Sequence, residues 1–584
     1  MKCLRLGPAL LALWLVACGT DVTPSPGVPA PPAIQVLSPV AGASFEAPSV
    51  RLSGTVGTAG GLASLTARVS GGEPHVATFT ETQRGQYAFT VDVTLPEGES
   101  EVRLEAEDTV GGRDWRTVRL RYTPDVTAPQ VLVRSPVAGQ ALSVRRVRVD
   151  ALVTDDKGVV SMSYAHNGGE EQPVPSRLDA TGSLAFELTP RPGPNQIVLR
   201  ARDARGNEGV STVAFHFGGL ASAGGLHSGV LRGGRVYAWG RNNRGQLGLG
   251  DAVTADQKAP QPVPGLEGVA SIAFNQNFAV ALRSDGTVWT WGENADGQLG
   301  LGTPPVTGEP HTPDVTPRRA PSRVPGLEGV VAVAPGYRHS LVLLEDGSVR
   351  AFGDNTNGQL GDGTVESRDY PVAVQGLTDV VKLIAGSMHS AALKRDGTVW
   401  LWGRNTYGNL GAGSVDPDAH ATPAQVPGLV DVVDLANGRD HVLALHADGS
   451  VSSWGLNGSG QLGTGEKGDP VATPAKVKGL TDAQAVFANG NFSFARRADG
   501  SLVGWGQNFN GQLCVGDNVD RSEPTPVSTQ VNPVATMGMG ATHVLALRGD
   551  GSLYGWGWNL NGSLGPDAVI DRWSYTNPIS VPLP

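Results

Sequence analysis

The sequence predicts an all-β chain, with a seven-bladed β-propeller preceded by two β-sandwich domains. Three observations support this prediction. The phrase Trp-Gly-x-Asn-x-x-Gly-x-Leu occurs seven times between residues 239 and 564, with Phe352 replacing one tryptophan. The segment before it contains two similar units of short alternating strands, and the chain has 80 glycines but only 17% charged residues. A fixed period near fifty residues is typical of closed or stacked repeats, and glycine suits their tight turns.

Residues 1–17 predict a lipoprotein signal peptide, with lipid attachment at Cys18. Two basic residues precede an apolar run that is too short to span a bilayer. The end of this run, Leu15-Val16-Ala17-Cys18, resembles the bacterial lipobox, which implies cleavage before the cysteine and its acylation. An ordinary secretory signal with a chance cysteine is the alternative. We expect an exported chain held in the outer membrane by its lipid, facing either the periplasm or the cell surface.

Residues 18–33 follow as a proline-rich segment. Proline lacks an amide donor, so the segment is expected to form an extended tether rather than a helix or a sheet. With this tether, the lipid on Cys18 holds the folded domains away from the membrane.

Residues 34–124 and 125–217 predict two β-sandwiches in tandem. Ser38-Pro39-Val40-Ala41-Gly42 recurs as Ser135-Pro136-Val137-Ala138-Gly139, and short alternating strands with turns rich in Gly, Pro and Asp lie between these marks. The two units resemble the immunoglobulin-like domains of exported bacterial proteins.

The second of these units contains an acidic cluster that would suit calcium. Its members are Asp155, Asp156, Asp203 and Asn207. The sequence lacks the oxygen-ligand spacing of a calcium-binding loop, which favours a solvated turn.

Residues 218–584 predict the propeller. In six copies an Asp-Gly pair lies six residues before the aromatic and predicts a hairpin turn. A proline-marked strand and a further apolar run follow the phrase, which gives about four strands per copy, the content of one propeller blade. We expect the final proline-marked stretch, residues 577–584, to pair with the strands of the first blade and so join the two ends.

The positions shared by all seven copies are expected to build the blades rather than to bind a ligand. The asparagine side chain is expected to satisfy the backbone of its own loop. The repeated aromatic residues are Trp239, Trp291, Phe352, Trp402, Trp454, Trp505 and Trp556. The repeated asparagines are Asn242, Asn294, Asn355, Asn405, Asn457, Asn508 and Asn559.

A histidine also recurs, and it has two interpretations. A ring of imidazoles suggests a metal or acid–base site, but two copies carry Phe278 and Phe492 instead, which favours a partly buried packing position. We therefore expect no metal, no cofactor and no catalytic residue, and we expect the lone Cys514 to be buried. The histidines are His227, His339, His389, His441 and His543.

The phrases His-Ser-x-x-Leu, Asp-Gly, Trp-Gly-x-Asn and Gly-Gln-Leu-Gly, at a period near 51 residues, resemble the repeats of the regulator of chromosome condensation family. The resemblance covers nearly two-thirds of the chain and implies a seven-bladed propeller. It also implies a binding role, since the family includes secreted bacterial inhibitors of β-lactamase. The alternative that it implies is exchange-factor activity on a small GTPase. The export signal argues against that alternative, because it separates the chain from cytosolic GTPases.

Departures from the repeat are the candidate partner contacts. The insertion 303–319 contributes His311, Arg318 and Arg319, and it does not resemble the β-hairpin of the exchange factor after which the family is named. The last blade adds Trp558, Trp573 and Tyr575, which either contact a partner or seal that blade. The net charge of −10 and the lack of a basic run exclude nucleic acid. We expect a monomer that binds a protein or a polysaccharide.

Overall fold

A computed structural model describes residues 30–306, 310–566 and 573–584. The predicted signal peptide, Cys18 and most of the tether lie outside these residues. The prediction of an all-β chain with a propeller is confirmed: the regular secondary structure of the described residues consists of strands, apart from the two short 3-10 helices Thr529–Val531 and Leu560–Gly562. No helix in the described ranges is long and apolar enough to cross a membrane. The chain divides into two compact units, residues 1–127 and 128–584.

The first unit contains one sandwich of two sheets, in which one strand pair is parallel and the other pairs are antiparallel. Their strand orders are β1-β3-β7-β6 and β2-β9-β8-β4-β5. Leu52 and Val91 of one sheet pack against Leu65, Val102 and Leu104 of the other. The strands are β1 (Ala33–Ser38), β2 (Ser44–Phe45), β3 (Ser49–Gly57), β4 (Leu62–Val69), β5 (Pro74–Val76), β6 (Thr78–Gln83), β7 (Gln86–Thr94), β8 (Gly98–Asp108) and β9 (Arg113–Tyr122).

The second unit begins with another two-sheet sandwich. Its sheets have the orders β10-β12-β15 and β11-β17-β16-β13-β14. Val149 and Phe186 of the smaller sheet pack against Ile197, Leu199 and Phe215 of the larger one. The strands are β10 (Gln130–Ser135), β11 (Ala141–Leu142), β12 (Val147–Thr154), β13 (Val159–His166), β14 (Gln172–Pro173), β15 (Ser183–Leu188), β16 (Gly193–Asp203) and β17 (Glu208–Phe217). The immunoglobulin-like resemblance of both sandwiches stays a prediction.

The acidic cluster of the second sandwich stabilises its own turns. Asp203 Oδ1 accepts hydrogen bonds from the backbone N–H groups of Arg205 and Asn207, at 2.8 and 3.0 Å. Asp155 Oδ1 accepts in the same way from Lys157 and Gly158, at 3.0 and 2.8 Å. Within the described ranges, no group of three or more His, Cys, Asp or Glu residues is arranged to hold a metal ion.

The propeller consists of seven four-stranded antiparallel sheets, in each of which the strands follow chain order. The first strand of each blade contacts the first strands of both neighbouring blades, which closes the ring. Blades 1 to 7 comprise β18–β21 (Ala221–Ala223, His227–Arg232, Arg235–Gly240, Gln257–Pro262), β22–β25 (Val269–Asn275, Phe278–Arg283, Val288–Gly292, Arg318–Arg323), β26–β29 (Val330–Pro335, His339–Leu344, Val349–Gly353, Arg368–Ala373), β30–β33 (Val380–Ala385, His389–Lys394, Val399–Arg404, Ala419–Gln425), β34–β37 (Val432–Asn437, His441–His446, Val451–Asn457, Gly468–Lys476), β38–β41 (Ala483–Asn489, Phe492–Arg497, Leu502–Gly506, Arg521–Pro526) and β42–β45 (Val534–Met539, His543–Arg548, Leu553–Trp558, Ser574–Val581).

The prediction that residues 577–584 pair with the strands of the first blade is wrong. The last strand, β45, pairs with β44 of its own blade, because the first blade already has its own outermost strand, β21. The ring closes through side chains instead: Val581 and Leu545 pack with Val230 and Trp239. Proline in the outermost strands limits further pairing at these edges, since proline lacks an amide donor.

The Asp-Gly pairs form the turns between the second and third strands, as their position predicts. In blade 4, Gly397 has a φ of 81°, which glycine adopts without strain. Asp396 has no positive φ and contributes through its side chain. Its Oδ1 accepts hydrogen bonds from the N–H and the hydroxyl of Thr398, at 3.0 and 2.6 Å. The aspartate therefore fixes the turn through its side chain.

Candidate functional site

The propeller has two faces, because its strands run alternately in opposite directions. We define the open face as the tips between first and second strands together with the loops between third and fourth strands. We define the capped face as the Asp-Gly turns together with the connections between blades. The repeated phrase Gly-x-Leu, the described insertion residues 303–306 and 310–317, and residues 559–566 and 573 all belong to loops of the open face.

The second sandwich is hydrogen-bonded to the capped face. The backbone N–H of Arg145 donates to the carbonyl of Val381 at 2.9 Å, and the Arg145 guanidinium donates to the carbonyl of Glu345 at 2.7 Å. A second anchor lies at the end of the sandwich, where His216 Nε2 donates to the carbonyl of Ala270 at 2.7 Å. Several backbone acceptors of the propeller are therefore satisfied by the sandwich.

Buried charge strengthens this contact. Lys382 of blade 4 is 8% exposed, forms an ion pair with Asp434 of blade 5, and donates to the Ser143 hydroxyl at 2.8 Å. Val144 packs against the apolar residues between these two blades. Residues 140–150 of the sandwich and the first strands of the blades line one cavity, so this end of the central channel is covered. Removing one partner of a buried ion pair is strongly destabilising, so Asp434 holds Lys382 in the position from which it donates to Ser143.

The opposite end of the central channel opens on the open face. Here the tips of blades 2 to 7 and one loop of blade 6 surround a cavity of about 570 Å³, a volume within the range of ligand pockets. Arg439, 62% exposed, is the one charged residue among its described lining residues. The remaining polar groups are amides, hydroxyls and the backbone. We call this cavity the channel mouth.

Two polar atoms of the channel mouth are buried without a hydrogen-bond partner in the described ranges. They are Asn491 Oδ1, on the tip of blade 6, and Thr542 Oγ1, on the tip of blade 7. Gln507 and Phe509 follow the third strand of blade 6 and line the same cavity, and the backbone N–H of Gln507 donates to the Asn491 carbonyl at 2.9 Å. Unpaired buried polar atoms are rare in folded proteins, and a bound ligand is one way to satisfy them.

The tips differ in length, and the repeated histidine explains the difference. In five blades a glycine lies three residues before the histidine, and its α-carbon faces the imidazole. A Cβ on Gly438 would lie 2.0 Å from His441 Cε1, so only glycine fits. The two blades with phenylalanine have tips one residue shorter, which turn through Gln276 and Gly490 at positive φ.

Three of the five histidines form hydrogen bonds between blades. Ser493 of blade 6 donates to the Gln461 carbonyl of blade 5 at 3.0 Å, and His441 Nε2 lies 2.8 Å from the same hydroxyl. Because the hydroxyl proton is already donated, the imidazole must donate from Nε2. His339 with Ser390 and His543 with Ser228 repeat this arrangement at 2.9 and 2.8 Å.

Burial decides the charge of these histidines. It lowers the pKa of His227 and His441 to about 3, and that of His339, His389 and His543 to about 4. They are therefore neutral near pH 7 and serve as packing residues with a polar edge. Cys514 is also buried, and burial raises the pKa of its thiol to about 12.

The repeated phrase is accounted for by the same loops. Each asparagine Oδ1 accepts from the N–H of the leucine five residues later, at 2.9 to 3.3 Å. The tryptophans are fully buried, and their indole N–H groups donate across the blade boundary to the preceding loop, as in Trp402 to the Gln359 carbonyl at 2.8 Å. The repeated asparagines therefore stabilise their own loops, and the repeated tryptophans connect neighbouring blades.

The described part of the insertion, residues 303–306 and 310–319, is fastened to blade 3. Asp369 is buried and accepts from His311 Nε2 at 2.7 Å and from the backbone N–H of Asp314 at 2.6 Å. Arg318 forms an ion pair with Asp314 at 2.5 Å. Arg318 and Arg319 open the outermost strand of blade 2. No strand precedes Arg318 within the described part of the insertion.

The three aromatic residues of the last blade are not equivalent. Tyr575 is buried and packs with Leu564, so its contacts seal the blade. Trp573 is 67% exposed, and its carbonyl accepts from the N–H of Asn559 at 2.9 Å. Trp558 ends β44 and is partly buried. Only Trp573 of this group presents its ring to solvent on the open face.

The comparison of the repeats in the sequence does not identify the residues of the channel mouth. Asn275, Asn437 and Asn489 end the first strands of three blades, and the Asn275 and Asn489 amides donate to the next blade at 2.9 and 2.5 Å. The sequence signal that could have identified them is the short stretch just before the histidine position, whose residues differ between blades. Those residues line the mouth because they form the tips.

Comparison with known proteins agrees with this architecture. A family model described as RCC1-like domain matches residues 200–486, and models of the regulator of chromosome condensation (RCC1) repeat match residues 483–512, 499–547 and 534–563. The ultraviolet-B receptor UVR8 of Arabidopsis thaliana is 32% identical over 457 residues, which cover 77% of this chain and 82% of that protein.

Two further similarities differ in coverage. Human HERC3, described as a probable E3 ubiquitin-protein ligase, is 46% identical over 249 residues, which are 42% of this chain and 24% of that protein. Yeast RCC1 (Prp20), in its crystal structure bound to Kap60, superimposes with a TM-score of 0.53 at 22% identity. That superposition covers 62% of this chain and 85% of the yeast chain, and it supports the fold alone.

Proposed function

This chain belongs to the regulator of chromosome condensation (RCC1) repeat family, and we propose that it is a binding protein whose propeller recognises its ligand through the open face. A binding role is favoured over catalysis because the recurring imidazoles are buried and neutral, and three of them are hydrogen-bonded between blades. A substrate therefore has no access to these imidazoles. The ligand class in this proposal is a protein or a polysaccharide.

The observation that carries the proposal is the position of the second sandwich. Its residues Arg145 and Ser143 are bonded to the central part of the capped face, whereas the second sandwich is not bonded to the described loops of the open face. Binding residues are commonly placed on loops held by a rigid scaffold. The insertion, Trp573 and the channel mouth are all on the open face.

We also propose that the chain works outside the cytoplasm, anchored through lipid on Cys18. The support is the lipobox-like sequence that ends at Cys18 and the proline-rich tether after it. Exchange-factor activity on a small GTPase is the alternative from family analogy. No contact of the described residues favours it, and an exported chain would not meet a cytosolic GTPase.

Site-specific photo-cross-linking in the producing cells tests the proposed face. A benzophenone side chain would replace Phe509 or Val365 on the open face, which are 57% and 51% exposed. The matched control replaces Glu328, whose side chain is 88% exposed in a connection of the capped face. We expect ligand adducts from the two open-face positions and none from residue 328. Adducts confined to residue 328 would contradict the proposal.

A further inference from the structure

The channel mouth is a polar cavity that is nearly free of charge, although the chain carries a net charge of −10. No carboxylate is among its described lining residues, and its one cation, Arg439, already faces the buried Asp440 at 3.4 Å. Asp440 is held in turn by Arg404 at 3.0 Å and by the Ser387 hydroxyl at 2.7 Å. A strongly charged ligand would therefore find little complementary charge here.

The polar groups of the mouth are of the kind that pairs with hydroxyl groups. An amide offers both donors and an acceptor, and a sugar hydroxyl donates and accepts at once. Six amide side chains line the mouth: Asn275, Gln276, Asn437, Asn489, Asn491 and Gln507. The Asn275 and Asn489 amides are already bonded to backbone groups at both their nitrogen and their oxygen, so the other four supply the bonding capacity for a ligand. The unpartnered Asn491 Oδ1 and Thr542 Oγ1 add an acceptor and a hydroxyl that are already desolvated.

Aromatic rings complete the set. Phe509 lies beside Gln507 at one edge of the mouth, and Tyr337 of blade 3 lines it as well. Such rings can cover the C–H face of a sugar while the amides bind its hydroxyl groups. Binding energy at protein interfaces concentrates in a few buried anchors such as Trp, Tyr and Arg. Amides are the most numerous polar side chains of the mouth, which favours hydroxyl groups as the bonded groups of the ligand.

We propose that the channel mouth binds the end of a neutral glycan, with Asn491, Gln507 and Thr542 bonding its hydroxyl groups and Phe509 covering a ring face. The inference rests on the proposed binding function of the open face and names its ligand class. The ligand enters from the open face, because the sandwich covers the other end of the channel.

Titration of the full chain with neutral trisaccharides of glucose, mannose or N-acetylglucosamine tests this inference, with calorimetry as the readout. A trimer of galacturonic acid is the charged comparison. We expect at least one neutral trisaccharide to bind one-to-one and the acidic trimer to bind more weakly. Failure of every neutral trisaccharide to bind at about 10 mM would overturn the inference, since weaker binding would not support recognition.

Three variants locate the binding site. Phe509→Ala, Asn491→Asp and Gln507→Ala should each weaken binding about 10-fold, because each removes a contact or places a carboxylate in the mouth. Val519→Ala, in the same blade 6 loop and 61% exposed, is the control and should change affinity less than about twofold. Unchanged melting temperatures will show that the variants fold. Binding that is insensitive to all three variants would overturn the inference.

The outcome also separates this inference from the proposed function. If no trisaccharide binds but a protein is cross-linked from Phe509 or Val365, the open face is still the recognition face and the glycan assignment is wrong. If neither occurs and adducts appear only at residue 328, both proposals fail.

Discussion

Substitution of Gly438 by alanine tests why a glycine precedes each repeated histidine. The new Cβ would lie 2.0 Å from His441 Cε1 and 2.4 Å from Nδ1. The imidazole has no room to retreat, because it is fully buried and its Nε2 is bonded to Ser493 at 2.8 Å. Gly438 is not among the residues with positive φ, so the cost comes from the clash rather than from backbone strain.

The expected size follows from the cost of overpacking a core. Such substitutions destabilise by about 3 kcal/mol at the upper end of the usual range. An unfolding entropy of ~2.1 cal/mol/K per residue, over the roughly 370 residues of the propeller, converts this to a fall in Tm of ~4 °C. Thermal unfolding of the full chain, followed by tryptophan fluorescence, measures this shift because the buried tryptophans report on the propeller.

The control is in the other open-face loop of the same blade. Gly458 has no atom within 4 Å of an added Cβ and no positive φ, so Gly458→Ala should leave Tm within about 1 °C. The substitution His441→Ala should cost less in the Gly438→Ala background than alone, because it also removes the clash. If the Gly438→Ala variant has the same Tm as the unaltered chain, the packing explanation is refuted.

Three further outcomes follow from the blade contacts and the anchor. Ser493→Ala should destabilise the propeller by about 1–2 kcal/mol, because it leaves His441 Nε2–H buried without an acceptor; an unchanged urea midpoint would contradict the inter-blade bond. The five buried histidines have pKa values lowered to about 3 or 4, so the unfolded chain takes up protons that the folded chain cannot. Stability should therefore be complete above about pH 6.5 and fall toward pH 4, by up to ~1.4 kcal/mol per pH unit for each histidine; urea unfolding at pH 7.5, 6.5 and 5.5 measures this, and a flat profile would be inconsistent with it. Cys18→Ser should move the chain from the membrane to the soluble fraction, and retention in the membrane would show that another element anchors it.

The repeated residues could be interpreted from the sequence because repetition itself carries structural information. The tryptophans, asparagines and Asp-Gly pairs occur in every blade or nearly every blade, so their roles in blade construction are visible without coordinates. The histidines were separable from a metal site because Phe278 and Phe492 replace them. The covariation of tip length with this replacement needed the structure, since it depends on which residue turns.

Other features could not be obtained from the pattern. A proline-marked strand looks the same whether it completes its own blade or the first one, so the pairing of β45 was mispredicted. The docking of residues 143–146 on the capped face joins positions 200 or more residues apart, and no local signal marks it. The channel mouth was missed because its tip residues differ between blades.

Hydrogen–deuterium exchange of the full chain at residues 143–146 tests the assignment of the open face most directly. The Arg145 N–H donates to the Val381 carbonyl at 2.9 Å, so it should exchange as slowly as strand amides of the propeller. The exposed loop at residues 170–171 of the same sandwich is the internal reference for fast exchange. Slow exchange at Arg145 would confirm that the sandwich is docked on the capped face, and the assignment of the open face depends on this docking. Exchange as fast as that of the reference loop would contradict it.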